Sequence, residues 1–379
     1  MPWVASRRGR PTGGIKRAKK PRGSPERGVL IIDILPPGAS VCRVDFWSPN
    51  GSPDSVVAQA RAWWEGPEDV DLVVATSGST GQPKRVRLPR AAVLASARAS
   101  AARLGATGPW VLALPPSYVA GVQVVVRSLV AGHEPTLLER DGWPVGDGWF
   151  VSLVPTQLTR MLSSPEDVAA LRRAHTVLLG GGPIGASLRS RATDAGVRVV
   201  ATYGSAETAG GCVYDGIPLD GVAVALGEGG RIRIAGPTLF AGYDGQPGLT
   251  EEVLAGGWFL TSDAGRFDED GRLVVIGRVD DVVVTGGLNV PAPAVAERLR
   301  QHPAVDAAEV LGVPDPEWGN RVVAFVVGAG DLEELRDWVA AAHPRAWAPR
   351  QLVRLDAIPL LANGKPDRQA LLALVGDGR

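Results

Sequence analysis

A stretch rich in glycine and hydroxyl side chains, Thr76 to Lys84, constrains this chain more than any other feature. It follows the apolar run from Asp71 to Ala75, which predicts a buried strand ending in a turn. Glycines let backbone N–H groups approach an anion, hydroxyl groups can donate to it, and a lysine adds a mobile positive charge. The stretch therefore predicts a phosphate-binding loop at the end of a strand.

This loop is not of the Walker A kind. The Walker A pattern places four residues between its first glycine and Gly-Lys-Ser/Thr, whereas here only Ser79 and Thr80 separate Gly78 from Gly81. A turn rich in serine and glycine could also be a plain flexible loop. The rest of the chain has to decide between these two interpretations.

The composition argues against several classes of protein. With 379 residues, of which 45% are hydrophobic, the chain is long enough for about two or three domains with real cores. The 40 basic and 40 acidic residues cancel, which argues against a dedicated nucleic-acid or membrane-surface protein. Two cysteines argue against a disulfide framework and fit the cytoplasm, and four scattered histidines argue against a His/Cys metal site. No apolar run reaches the ~18 residues that a membrane-spanning helix needs.

The first 27 residues differ from the rest, with nine Lys or Arg and a single acidic residue. We expect residues 1–27 to be a disordered basic tail, or the result of a start codon assigned too early. An arm for nucleic acid or an anionic surface is the alternative. The tail has no clear apolar region of a secretory signal. The first strand is expected from Val29 to Ile34.

Strand and helix patterns alternate up to about residue 210, which predicts a mainly parallel sheet. In such sheets ligands bind beyond the carboxyl ends of the strands, where the glycine-rich stretches fall. The main predicted strands are 71–75, 110–115, 150–155, 176–179 and 197–202, and the main predicted helices are 55–65, 90–104 and 122–129.

Beyond residue 210, short β segments with glycine-rich turns predict a small barrel or an antiparallel layer. Its strands are expected at 231–234, 258–260 and 272–276. After Asp281 a separate α+β unit of about 100 residues is predicted. This unit has expected strands at 282–284, 306–312, 321–327 and 351–355 and expected helices at 292–301 and 331–342.

Three further stretches carry groups that could bind a small ligand. Glu207, in Tyr203-Gly-Ser-Ala-Glu-Thr208, carries a carboxylate, which is a group that hard cations prefer. Asp263 carries a second carboxylate, and each of its two oxygens can accept a hydrogen bond. The run Gly180-Gly-Gly-Pro183 would admit a flat ring against the backbone. Each stretch alone could be an ordinary turn.

Taken together and in this order, these motifs resemble those of the adenylate-forming superfamily, which contains acyl-CoA ligases, peptide-synthetase adenylation domains and luciferases. The resemblance extends over residues 76–367. It implies an α/β fold with a large N-terminal AMP-binding domain, residues 28–279, built from mainly parallel sheets and a small β layer. It also implies a mobile C-terminal α+β domain, residues 280–379, with its hinge at Asp280.

The same resemblance assigns roles to individual residues. Catalytic roles fall to Lys84, Glu207 and Lys365, and Lys365 would bridge the attacking carboxylate and the α-phosphate. Glu207 and Thr80 would hold Mg²⁺, and Gly286 and Gly287 would line the coenzyme A channel. The implied nucleotide-binding residues are Thr76, Ser77, Gly78, Ser79, Thr80, Gly81, Lys84, Gly181, Gly182, Tyr203, Gly204, Ser205, Asp263 and Arg278.

The motif around Glu207 departs from the family pattern at one position. Ala206 stands where the family carries a threonine. One hydroxyl that would face phosphate is therefore lost, and either Ser205 or Thr208 could replace it.

Within the superfamily, the short first subdomain resembles that of actinobacterial o-succinylbenzoate–CoA ligases of menaquinone synthesis. The run from Leu114 to Ser128 is similar to a helix of those enzymes, with Tyr118 in place of a histidine. The implied substrates are o-succinylbenzoate, ATP with Mg²⁺, and coenzyme A; no nucleic-acid partner is expected, and an oligomer remains open. The acyl pocket is expected to include Tyr118, Arg127, Gly180 and Ser205.

Two other functions stay open at this point. One is a CoA ligase for another aromatic or aliphatic carboxylic acid. The other is a non-catalytic nucleotide-binding homologue, which Ala206 and the basic tail allow. Arg127, for its part, could instead reach the surface or pair with an acidic side chain.

Overall fold

The computed structural model describes residues 46–76, 84–361 and 366–375. The basic tail, the strand expected from Val29, the loop residues 77–83 and Lys365 lie outside the described residues. Among the helices of the described ranges, none combines the length and apolar character that crossing a lipid bilayer requires.

Strands and helices alternate in the first part of the chain, as the sequence predicts. The elements are β1 (Phe46–Trp47), α1 (Pro53–Glu65), β2 (Asp71–Ala75), β3 (Arg85–Leu88), α2 (Arg90–Leu104), β4 (Trp110–Leu112), α3 (Val119–Val130), β5 (Thr136–Leu137), α4 (Leu138–Asp141), β6 (Phe150–Leu153), α5 (Pro155–Met161), α6 (Pro165–Leu171), β7 (Thr176–Leu179), α7 (Ala186–Asp194), β8 (Val199–Ser205), β9 (Gly210–Tyr214) and β10 (Ile217–Pro218).

The remainder is mostly β structure followed by an α+β unit. The β-rich segment comprises β11 (Ala223–Leu226), β12 (Arg231–Ala235), β13 (Gly242–Tyr243), α8 (Pro247–Val253), β14 (Leu254–Ala255), β15 (Trp258–Phe267) and β16 (Leu273–Arg278). The last unit comprises β17 (Val282–Thr285), β18 (Leu288–Pro291), α9 (Ala292–Arg300), β19 (Val305–Asp315), β20 (Gly319–Gly328), α10 (Leu332–Ala340), β21 (Gln351–Arg354) and α11 (Arg368–Ala373).

A seven-stranded sheet with the order β10-β9-β8-β7-β6-β4-β5 forms the centre of the larger unit. Strands β5, β4, β6, β7 and β8 are parallel, and β9 and β10 are antiparallel at one edge. Along β4, Trp110 and Leu112 belong to the core beneath α1, α2 and α3, whereas Val111 belongs to the core beneath α5, α6 and α7. Both faces of the sheet are therefore covered, as is usual for parallel strands.

Two smaller sheets complete the larger unit. One has the order β1-β2-β3-β13, and the other is an antiparallel layer of five strands, β11, β12, β14, β15 and β16. The antiparallel layer predicted beyond residue 210 is thus confirmed.

The last unit consists of the sheet β19-β20-β21 with helices α9 and α10 on one face and α11 on the other. Strands β17 and β18 form a hairpin whose turn is Gly286 and Gly287. Both glycines have positive φ, +54° and +78°, as a two-residue hairpin turn requires. Each of the five buried clusters of the described chain lies wholly before or wholly after the turn Val279–Asp281.

Several boundaries differ from the sequence prediction, among them the end of the strand expected at 258–260, which continues to Phe267. Two of these differences have a clear physical cause. The helix expected from Val122 begins at Val119, and Gly121 lies inside it. A Cβ at Gly121 would come within 2.3 Å of the carbonyl oxygen of Pro115, so this glycine allows close packing and does not end a helix. The strand expected to end at Thr202 continues to Ser205, because β9 pairs with it in antiparallel register.

Arg90 fastens the C-terminal end of α1 to the start of α2. Its side chain is buried, and Nη1 donates to the carbonyl oxygens of Trp63, Gly66 and Pro67 at 3.0, 2.9 and 2.9 Å, while Nη2 donates to that of Trp64. Helix α1 has no basic residue in its own last turn. Arg90 therefore satisfies carbonyl groups that the helix leaves without partners.

We predict that Arg90→Lys lowers the free energy of unfolding by about 2 kcal/mol or more, because an ammonium group cannot serve four carbonyls as a guanidinium does. Urea unfolding followed by tryptophan fluorescence measures the change. The matched control is Arg98→Lys on the exposed face of the same helix, which should change stability by about 0.5 kcal/mol or less. Equal effects of the two substitutions would contradict the assignment.

Candidate active site

A cavity of about 430 Å³ opens at the carboxyl ends of β6, β7 and β8. The residues that follow these strands, including Val154 and Gly180, form part of its wall. This position agrees with the expectation that ligands bind beyond the carboxyl ends of parallel strands. A second cavity of about 690 Å³ lies between this edge and the last unit of the chain.

Most of the predicted site residues converge on these two cavities. Those lining the first are Thr76, Lys84, Tyr118, Arg127, Gly180, Gly181, Gly204, Ser205, Glu207, Asp263 and Arg278. Gly182 and Tyr203 line the second cavity, which shares Gly181, Gly204, Asp263 and Arg278 with the first.

Two of the predicted residues in the described ranges lie away from these cavities. Gly286 and Gly287 form the β17–β18 turn and line neither cavity. Asp280 lies in the turn between β16 and β17. Ser77, Gly78, Ser79, Thr80, Gly81 and Lys365 fall outside the described residues.

The ends of the predicted phosphate loop are held together by the β2–β3 hairpin. The backbone N–H of Thr76 donates to the carbonyl oxygen of Lys84 at 2.8 Å. The Lys84 ammonium lies over the ring of Tyr243, with Nζ 5.1 Å from the ring centroid. The loop therefore starts and ends at the cavity, and its lysine is held against an aromatic face.

Glu207 lies in the short 3₁₀ turn Ala206–Thr208 that follows β8, and it is only 9% exposed. The hydroxyl of Tyr243 donates to Glu207 Oε1 at 2.8 Å. Burial and the neighbouring carboxylate raise the pKa of Tyr243 well above its usual value, so the phenol stays protonated and remains a donor.

The residues present fit a magnesium ion that arrives with a nucleotide. No group of three or more His, Cys, Asp or Glu side chains within the described ranges could hold a metal alone. Mg²⁺ bound to substrate phosphates commonly takes one or two protein carboxylates and keeps several waters. A single buried carboxylate that lines the cavity, Glu207, is therefore a suitable donor.

The alternatives for the hydroxyl lost at Ala206 are resolved by hydrogen bonding. Thr208 Oγ1 accepts from the backbone of Ser205 and lies within donating distance of two carbonyl oxygens, so this hydroxyl is committed to the turn. Ser205 Oγ is buried at the cavity and has no hydrogen-bond partner among the described residues. Thr208 is thus excluded as the replacement, and Ser205 is available.

A second tyrosine–carboxylate pair lies where the two cavities meet, because Asp263 lines both cavities and Tyr203 lines the second. The hydroxyl of Tyr203 donates to Asp263 Oδ2 at 2.7 Å, and Asp263 faces Arg278 in the β15–β16 register. Burial, and then the charge of Asp263, raise the pKa of Tyr203 above its usual range. Next to this pair, a Cβ at Gly204 would lie 2.1 Å from the carbonyl oxygen of Gly210, so only glycine fits.

Another part of the cavity wall is formed by α3. Arg127 is 7% exposed, its guanidinium carbon lies 5.1 Å from the Trp110 ring centroid, and Nη2 donates to the Tyr214 hydroxyl over 3.4 Å. Its Nε has no hydrogen-bond partner in the described chain, and no described carboxylate pairs with it. Both alternatives from the sequence, exposure to solvent and pairing with an acid, are therefore wrong for the described residues.

Sequence reasoning missed Tyr214 and Tyr243, which lie in no recognised motif. The scarcity of tyrosine in the sequence is the signal that could have pointed to them. The chain has only four tyrosines, and all of them line the two cavities: Tyr118, Tyr203, Tyr214 and Tyr243.

Comparison with known families agrees with this geometry. The family model described as AMP-binding enzyme matches residues 16–244, and the model described as AMP-binding enzyme C-terminal domain matches residues 294–365. The chain belongs to the AMP-binding enzyme family.

Individual relatives show which members of this family the chain is similar to. A probable 2-succinylbenzoate–CoA ligase of Mycobacterium tuberculosis H37Rv is 43% identical over 338 residues, which cover 84% of this chain and 88% of the relative. A feruloyl-CoA synthase of an Amycolatopsis species is 31% identical over 350 residues, covering 79% and 69%. Among solved structures, the o-succinylbenzoate CoA synthetase MenE of Bacillus subtilis with the acyl-adenylate OSB-AMP is similar with a TM-score of 0.69, 27% identity and coverage of 83% and 69%.

Proposed function

We propose that this protein is an ATP-dependent acid–thiol ligase that converts 2-succinylbenzoate, which is the same compound as o-succinylbenzoate, to its coenzyme A thioester. The observation that carries the choice of acid is the buried guanidinium of Arg127 at the acyl end of the cavity. The names of the most similar relatives support the same choice. With ATP and coenzyme A as co-substrates and two cysteines, of which Cys212 is buried and free, we infer a cytoplasmic reaction.

The substrate has two carboxylates, and only one of them reacts. The second stays ionised, and burying it without a partner would cost several kcal/mol. Arg127 carries the opposite charge and also lacks a partner, because it is a buried cation that no described carboxylate pairs with. A planar guanidinium suits a carboxylate, either directly or through a water molecule. Pairing the ring carboxylate with Arg127 would therefore give each of the two buried charges a partner.

The reaction has two steps. In the first, the succinyl carboxylate attacks the α-phosphorus of ATP, and pyrophosphate leaves as the acyl-adenylate forms. In the second, the thiol of coenzyme A attacks the acyl carbon, which releases AMP and a proton. In both steps Tyr203 and Asp263 would hold the nucleoside, while Arg127 would hold the far carboxylate and so fix the reacting end.

Charge on the phosphates would be met by other residues of the cavity wall. Lys84 and the loop 76–84 would contact the triphosphate, and Glu207 would hold Mg²⁺, which neutralises phosphate charge when it is bound. Ser205 Oγ, which has no hydrogen-bond partner among the described residues, would donate to a phosphate or carboxylate oxygen. These roles require no side chain from outside the predicted site.

The two steps need different groups, and we infer that the last unit of the chain supplies them in turn. The buried clusters do not cross Val279–Asp281, so this turn, which contains Asp280, can act as a hinge. In one orientation Lys365 would reach the reacting phosphate, and in the other the Gly286–Gly287 turn would approach the site.

The hinge predicts opposite defects for two substitutions. Lys365→Ala should slow adenylation by roughly 10²–10³-fold, the usual loss for one electrostatic donor, and should spare conversion of a supplied acyl-adenylate to thioester. Gly287→Leu should slow thioester formation and spare adenylation. Single-turnover assays of each half-reaction measure both effects.

The control for the hairpin is Gly287→Asn, because asparagine tolerates the positive φ of this position. It separates backbone strain from obstruction by a bulky side chain. Equal losses in both half-reactions for Lys365→Ala would contradict the two-orientation mechanism.

The assignment of the acid predicts the behaviour of Arg127→Met. Losing the partner of a buried charge should raise the KM for 2-succinylbenzoate by about 30-fold or more and leave the KM for ATP nearly unchanged. The effect should shrink for 4-oxo-4-phenylbutanoate, which lacks the ring carboxylate. The melting temperature should not fall, because the substitution replaces a buried cation, which has no described carboxylate partner, with an apolar side chain of similar length.

Two results would count against this role of Arg127. One is an equal rise of both KM values, and the other is an equal loss for the acids with and without the ring carboxylate. The general ligase assignment would survive either result.

A further inference from the structure

Two carboxylates that line the first cavity each accept a hydrogen bond from a tyrosine. Tyr203 donates to Asp263 and Tyr243 donates to Glu207, at 2.7 and 2.8 Å. The two pairs are chemically equivalent, but one carboxylate lies at the proposed nucleoside end and the other at the proposed phosphate end. Each tyrosine hydroxyl therefore serves as a control for the other.

The Tyr243 side chain is fixed from several sides. The backbone of Tyr243 pairs with that of Val86 across the β13–β3 ladder, and Val86 lies two positions after Lys84 in the sequence. Its backbone N–H donates to Thr250 Oγ1 at 2.9 Å, and its ring packs edge-on against Phe240 with centroids 5.1 Å apart. Tyr243 as a whole is only 6% exposed, so its ring has little freedom to turn.

From this position Tyr243 contacts both charged groups of the phosphate end. One face of its ring carries the ammonium of Lys84, and its hydroxyl reaches the carboxylate of Glu207. A rigid aromatic residue thus sets the placement of a flexible lysine and a rotatable carboxylate. Partners that orient a metal-binding carboxylate commonly affect metal affinity without contacting the metal.

We propose that Tyr243 is a positioning residue for magnesium-bound ATP: its hydroxyl orients Glu207 toward the metal, and its ring supports Lys84. The proposal rests on the use of ATP with magnesium in the proposed function, but it does not depend on which acid is activated. Nucleotide binding without any acid therefore tests it separately from the choice of substrate.

The test compares Tyr243→Phe with Tyr203→Phe by isothermal titration calorimetry. For each protein, the Kd of ATP is measured in EDTA and in excess Mg²⁺, and the Kd of AMP is measured in EDTA. Tyr243→Phe should reduce the gain in ATP affinity from Mg²⁺ by about 10-fold and leave AMP binding unchanged. Tyr203→Phe should weaken AMP and leave the gain from Mg²⁺ within about twofold of the wild type.

A double-mutant cycle shows whether Tyr243 acts through Glu207. In a Glu207→Gln background, Tyr243→Phe should cause no further loss of the gain from Mg²⁺, because the carboxylate that it orients is absent. Additive losses would overturn the proposal, as would an unchanged gain from Mg²⁺ in Tyr243→Phe alone. Equal weakening of AMP and of magnesium-bound ATP would also overturn it.

The ring is tested with Tyr243→Leu, which removes the face under Lys84. Relative to Tyr243→Phe, it should weaken ATP measured in EDTA and leave AMP unchanged, since only ATP carries the outer phosphates. Lys84→Met should abolish this difference between the leucine and phenylalanine variants. If the leucine and phenylalanine variants bind ATP equally, the support of Lys84 by the ring is wrong.

Discussion

The central sheet is covered by helices on both faces, and this constraint determines where a ligand can bind. Alternate residues of β4 enter two different cores, one on each face of the sheet. The first cavity opens at the edge formed by the carboxyl ends of β6, β7 and β8, and the glycine-rich run 180–183 follows β7 directly. The whole site therefore depends on parallel packing that has no direct part in the chemistry.

Charges are distributed along the cavity in a way that suits the proposed substrates. Two cations, Lys84 and Arg127, and two carboxylates, Glu207 and Asp263, all line the same cavity. Folding energetics explains the burial of Arg127 least, because none of the described carboxylates pairs with it and an unpaired buried cation destabilises a core. Under the proposed function, the second negative charge of the substrate would pair with it.

Much of this arrangement could be predicted from the sequence because the motifs are local. Glu207, Asp263 and Lys84 each lie in a contiguous stretch whose order along the chain resembles one family. The strand and helix order was also accessible, since apolar periodicity and strand-end glycines mark it directly. The helix containing Gly121 and the long β8 were misjudged at their ends, because close backbone packing and strand pairing are tertiary effects.

Contacts between distant segments could not be predicted in this way. Tyr243 contacts Glu207, which is 36 residues away in the sequence, and Arg90 contacts two residues of α1 that are 26 and 27 residues away. No local pattern specifies either contact, because each depends on which strands and helices become neighbours. The burial of Arg127 likewise follows from the packing of α3 over the sheet, not from its own stretch of sequence.

The most direct test of the central claim is ATP–pyrophosphate exchange by the wild-type protein over a matched set of acids. The set contains 2-succinylbenzoate, 4-oxo-4-phenylbutanoate without the ring carboxylate, and ferulate, which has a single carboxylate. The account predicts that kcat/KM is highest for 2-succinylbenzoate, by about 30-fold over 4-oxo-4-phenylbutanoate, because only the former can pair with Arg127. Equal or faster exchange with either monocarboxylic acid would contradict it.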